Sequence, residues 1–161
     1  MLMQRSQRMK PVVDVARRRE ENRLRDYGQG RQRLEDALHK LQQLESYREE
    51  YAERLRGQGA QTVDLVQLQS ARHFMTRLNE AIRQQQLEVD RQTAGLESCR
   101  TAWLESRQHS HDLDDLACRY QREELSLLER KAQARADELA AQRLVWTRQN
   151  ASAAVLNGDR A

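Results

Sequence analysis

His109, Ser110, His111 and Asp112 form the one run of this sequence with the residue types of a metal or catalytic site, two imidazoles flanking a hydroxyl beside a carboxylate. The spacing argues against such a site. Residues two apart on a helix point about 200° away from each other, so His109 and His111 share a ligand sphere only if a turn unwinds. His111 and Asp115 stand at i, i+4 and can pair, as polar residues on a solvated helix face commonly do. Cys99 and Cys118 have no Cys or His neighbours at metal-ligand spacing, and 19 residues of one helix would hold them about 28 Å apart, too far to bridge. They read as free thiols of a cytoplasmic chain, with Cys99 packed in a helix seam. No glycine-rich phosphate loop, nucleophile elbow or carboxylate cluster is present, and a helical hairpin is expected to offer no cavity of ligand size. The expectation is a protein that is not an enzyme and uses no cofactor and no metal.

The elements that would carry these residues follow from composition and periodicity. The 161 residues are 33% charged and 4% aromatic, with 6 Gly, 1 Pro and a single Phe, a balance that favours long helices and a thin apolar seam over a globular core. A mean hydropathy of -1.00 would also suit disorder, and the spacing of apolar residues decides between the two. Leu68, Met75, Ile82, Val89, Leu96 and Trp103 are six large apolar residues, each seven positions after the last. Three positions further on lie Ala71, Leu78, Gln85, Gln92, Cys99, Ser106, Leu113, Tyr120 and Leu127, apolar at both ends and polar in the middle. This is the a/d pattern of a coiled coil. Earlier in the chain Val13, Tyr27, Leu34, Leu41 and Leu55 share one seven-residue lattice and Leu24, Leu38 and Ala52 another, with Glu20, Arg31, Glu45 and Arg48 intruding.

Between the two patterns lies Gly57-Gln58-Gly59-Ala60-Gln61-Thr62, with glycines suited to a helix C-cap and Thr62 to an N-cap. Pro11 fits a first helical turn. The predicted fold is all-α, two long helices in an antiparallel coiled-coil hairpin with the second helix overhanging. One domain covers 1–149, with a helix over about 10–56, a turn at 57–62 and a helix over about 64–148, and residues 150–161 form a disordered tail. With the turn centred near residue 60, Tyr47 faces the neighbourhood of residue 73 and Lys10 faces about residue 110. Leu113, Leu116, Tyr120, Leu125, Leu127 and Leu128 would then lie beyond the reach of helix one, as a docking surface.

Two further features point to partners. Residues 1–33 carry ten Arg or Lys, Arg17-Arg18-Arg19 among them, against four Asp or Glu, suited to an acidic protein surface or to phosphates, or simply a solvated face neutralised by the facing helix. Leu44, Tyr47 and Tyr51, at i, i+3 and i+7, form a stripe displaced from the seam. The antiparallel register brings Phe74, Leu78 and Ala81 beside it. Such an aromatic patch can anchor a protein interface or thicken the core. Nucleic acid is not expected as a partner, because the basic residues are not interleaved with stacking aromatics and the net charge is only +3. No apolar run is long enough to span a membrane, and Met1 to Lys10 lack the apolar stretch of a signal peptide.

Across roughly residues 5 to 145 the chain resembles the FliJ family of the bacterial flagellar type III export apparatus. The likeness rests on size, the two-helix layout with a glycine-containing turn, the opening Arg8 to Pro11-Val12-Val13 with Arg19-Glu20, Tyr47-Arg48-Glu49-Glu50-Tyr51, and Phe74 with Leu78. It implies a component at the inner face of the membrane at the flagellar base. As a stalk in the hexameric export ATPase it would use its open end, here Arg8, Arg17, Arg18, Arg19, Leu116 and Tyr120. The cytoplasmic domain of the membrane export gate would meet Leu44, Tyr47, Tyr51, Phe74, Leu78 and Ala81. Lys40 and Gln85 depart from the polar amide and histidine expected of the family there. Escort of export chaperones is also implied, with no residue assigned. The alternative is a generic scaffolding coiled coil, which could dimerise through Leu113 to Leu128.

Overall fold

The computed structural model describes residues 4–58 and 64–158. Helix α1 spans Arg5–Gln58 and helix α2 spans Leu65–Gly158. The two pack antiparallel, and no strand occurs among the described residues, so the chain is the helical hairpin that the heptads predict. It divides into two compact units, Val15–His111 and Met1–Asp14 with Asp112–Ala161.

In the Val15–His111 unit the a and d rows of α2 hold. Ala71, Leu78 and Ile82 are buried, and Met75, Gln85, Val89, Gln92, Leu96, Cys99, Trp103 and Ser106 are half-buried, while Leu68 at the start of the row is exposed. Helix α1 answers with a different second row from the one expected. Leu24 and Leu38 are each 47% exposed. The buried row is Ala16, Gly30 and Ala37, continued by half-buried Leu44 and Tyr51. Small residues win these places because large ones from α2 need the room. A Cβ built on Gly30 would stand 3.3 Å from Leu96 Cδ1, whereas one on Gly28 or Gly95 meets nothing within 4 Å. Interdigitation at native density favours such small-against-large pairing, so residue size across the seam overrides the local apolar count.

The polar residues within the seam are put to use. Gln85 Nε2 donates to the Ala37 carbonyl at 2.9 Å, which small Ala37 leaves open to approach. Arg48, half-buried on the a row of α1, reaches Asn79 Oδ1 at 3.4 Å. Tyr27 and Trp103 stack with centroids 5.8 Å apart and planes 8° from parallel, and the Arg107 guanidinium lies 5.8 Å from the Trp103 ring centroid. The indole N–H of Trp103 is buried without an acceptor, a cost that the ring's packing must offset. Together Gly30 with Leu96 and Tyr27 with Trp103 show that in this stretch α1 meets α2 several residues further along than a turn centred at residue 60 predicts.

In the other unit the same displacement pairs the start of α1 with α2 near residue 124, so Leu113, Leu116 and Tyr120 are half-buried rather than overhanging. Helix α1 begins at Arg5, ahead of the expected start, and Pro11 sits inside it. There the missing N–H leaves the Gln7 carbonyl without its intrahelical donor. The early start has its cap supplied from α2: Glu124 accepts the Ser6 backbone N–H at 3.0 Å and also the Ser6 hydroxyl. The first turn of α1 contains no acidic residue, and the Glu124 carboxylate supplies the negative charge that the helix N-terminus favours. Every residue from Leu127 to Val155 is exposed, so the overhang is real but begins about four turns later than expected. Residues 150–158, expected as tail, continue the helix. Gly57 is helical without positive φ, and Asp64 opens α2, its carbonyl accepting from Leu68 at 3.1 Å and its Oδ1 from Val66 at 3.4 Å. Gly59 and Thr62 lie outside the described residues.

The Ser6 hydroxyl, then its N–H, hold the Glu124 carboxyl below the usual carboxylate range, with smaller help from Arg5 and against some desolvation. A depressed carboxyl stabilises the fold above its ordinary pKa, and that contribution is lost as pH falls through the lower folded value. Amide hydrogen exchange over residues 5–10 is therefore expected to speed up on acidification below the ordinary glutamate pKa of about 4.3, beyond the change at mid-helix. Glu124→Gln should raise exchange there at neutral pH and flatten its pH dependence.

Candidate functional site

The residues singled out for chemistry are strung along helix α2. His109 and His111 are exposed, Ser110 is buried, and all three are helical. No group of three or more potential metal ligands occurs among the described residues. Cys99 is half-buried and Cys118 exposed, both as free thiols. No described helix is long and apolar enough to cross a membrane.

The aromatic patch is assembled. Phe74 of α2 packs between two tyrosines of α1, with centroid distances of 4.7 Å to Tyr51 and 6.1 Å to Tyr47, the latter edge-on at 79°. The spacing that places the tyrosines on one side of α1 is the same that makes the contact, but their environments differ. Tyr51 and Leu44 belong to the seam, not to a stripe displaced from it, because both continue the Ala16, Gly30, Ala37 row. Leu78 is buried, Phe74 half-buried and Ala81 exposed. Tyr47 alone of the three rings is exposed, at 46%. The cluster is thus a partly covered base of Tyr51, Phe74 and Leu78 that holds one tyrosine toward solvent.

Beside Tyr47 runs an open groove of about 690 Å³, with His39, Lys40, Gln43, Leu44, Ser46, Tyr47, Glu50 and Gln85 in its lining. A hairpin was expected to offer no space of this size. It arises where exposed polar residues of α1 stand beside Tyr47, and its wall includes Gln85, whose amide is already engaged with the Ala37 carbonyl. The lining offers an imidazole, an ammonium, amides, the Ser46 hydroxyl and the Glu50 carboxylate around an aromatic edge, which suits polar recognition of a protein surface.

The remaining predicted residues fall into two groups. Arg17, Arg18 and Arg19 are exposed on α1 in the Val15–His111 unit. In the other unit Arg8 is exposed, Leu116 half-buried, and half-buried Tyr120 lies under the Arg5 guanidinium at 6.0 Å. Sequence reasoning missed Gly30 and Ala37 as seam residues and the Ser6–Glu124 cap. The seven-residue spacing of Gly30, Ala37, Leu44 and Tyr51, with Ala16 fourteen residues earlier, carried the first signal; the cap joins residues 118 apart and had none.

A two-helix seam that holds an exposed aromatic ring beside an open polar groove defines a helical-hairpin protein. A family model described as "Flagellar FliJ protein" matches residues 4–150, nearly the whole chain, and the chain belongs to the FliJ family. Membership makes it a component of the flagellar export apparatus. No curated relative and no solved structure matches it.

Proposed function

We propose that this chain couples the hexameric export ATPase to the cytoplasmic domain of the membrane export gate, at the inner membrane of the flagellar base, and that it also assists export chaperones. The observation that carries the reading is the exposed Tyr47 edge, held over Phe74 beside an open groove in a chain of the FliJ family. An aromatic ring with a hydroxyl at its tip and a rigid base is a favoured interface anchor. Tyr47 and Ala81 would touch the gate directly, with Leu44, Tyr51, Phe74 and Leu78 setting their positions from below. Arg17, Arg18 and Arg19, and separately Arg8 with Leu116 and Tyr120, would meet the ATPase, the arginines by charge.

The role asks for binding without turnover. The test is a bridging capture: gate domain on a solid support, export ATPase in solution, and this chain added or withheld. Retention of the ATPase only in the presence of the chain is the expected outcome.

A further inference from the structure

The overhang of α2 carries an apolar stripe that the hairpin leaves uncovered. At about 100° per residue, Leu125, Leu128, Ala132, Ala136, Leu139 and Trp146 fall within one narrow face, and all six are exposed, Trp146 by 65%. Helices of this kind owe most of their stability to packing of an apolar face, so an uncovered stripe of several turns calls for a partner.

The stripe is self-complementary, and the geometry points to a second copy of this chain as its occupant, the two overhangs pairing antiparallel about a two-fold axis at Ala136. In that register Leu125 and Leu128 lie beside the second copy's Trp146, and Ala132 beside its Leu139. Large thus meets small or fills the space next to it, and the helices approach most closely where Ala136 meets its counterpart. The charged residues in and beside the stripe match as well. Arg143 falls within the same face, between Leu139 and Trp146, and lies beside the second copy's Glu129 at the edge of the face, while Arg135 lies beside its Glu138 on the other side; each pair occurs twice by symmetry. A parallel pairing would instead set Arg135 against Arg135 and Trp146 against Trp146, with the small residues stacked in facing gaps. Between Leu125 and Trp146 there are three acidic and four basic residues, so net charge does not oppose association. This inference does not rest on the export reading.

Sedimentation equilibrium of the full chain tests it. A monomer–dimer equilibrium is expected, and Leu139→Glu should abolish the dimer. Glu129→Arg alone sets two arginines together at both symmetric positions, and Arg143→Glu alone two carboxylates; each should weaken dimerisation by about tenfold. The double variant should restore it, which a merely structural role would not do. In a chain with Cys99→Ser and Cys118→Ser, Ala136→Cys should oxidise to a covalent dimer. A monomer at every concentration, leaving the stripe to a helix of another protein, would overturn the inference. So would a dimer untouched by Leu139→Glu, or charge reversals that fail to rescue each other.

Discussion

Replacing Ile82 with alanine is expected to lower the stability of the hairpin by about 2–3 kcal/mol, the largest loss for any single truncation in the seam. Ile82 is the chain's only isoleucine and, at 3% exposed, the most buried large side chain among the described residues. It occupies the a row one turn from Gln85, whose bond to the Ala37 carbonyl fixes the register at that level. Truncation removes three carbons from a place where two rigid helices limit collapse, so both the transfer free energy and a residual cavity contribute. Leu87, of equal size but on the outer face and 52% exposed, is the control. Its replacement by alanine should stay within about 0.5 kcal/mol. Chemical denaturation followed by circular dichroism measures both, and similar losses at the two positions would mean that the seam does not dominate stability.

The second large effect is on binding. Tyr47→Ala should weaken association with the gate domain by about tenfold or more, the range for an aromatic anchor, while costing about 1 kcal/mol or less in stability. The separation follows from exposure. Tyr47 contributes an edge contact to Phe74 and little burial, whereas Tyr51 and Phe74 form the base beneath it. Tyr51→Ala and Phe74→Ala are therefore expected to loosen the end of the hairpin near the turn as well as weaken binding, and a triple alanine variant would mix the two effects. Tyr51→Phe, which keeps the ring, should leave both nearly unchanged. Titration calorimetry against the gate domain, with thermal melts of the same samples, separates these outcomes.

The fold was legible where α2 repeats a large residue every seven positions, because that period admits little besides a coiled coil. Helix α1 was harder to read for a physical reason. Its second seam row is made of Ala16, Gly30 and Ala37, residues whose value lies in the space they leave for Leu96 and its neighbours, while Leu24 and Leu38 offered a louder apolar signal on an exposed face. Misreading that row made Leu44 and Tyr51 appear displaced from the seam when they continue it. The start of α1 was hidden differently. Pro11 is a familiar first-turn residue, but a carboxylate from α2 caps the helix six residues earlier, and such a cap leaves no local trace. That start, with the shift in register, moved the uncovered part of α2 from Leu113 to beyond Glu124. Of the candidate site, the meeting of Tyr47, Tyr51 and Phe74 was readable from spacing and register alone. Which of the three faces solvent depended on the seam row and was not.

The central claim is coupling, and the bridging capture addresses it most directly. With the gate domain immobilised, the account predicts that export ATPase is retained when the wild-type chain is added, that none is retained without it, and that Tyr47→Ala reduces retention while still binding the ATPase in solution. Failure of the wild-type chain to retain ATPase on the gate domain, with each partner shown to be folded, would contradict it.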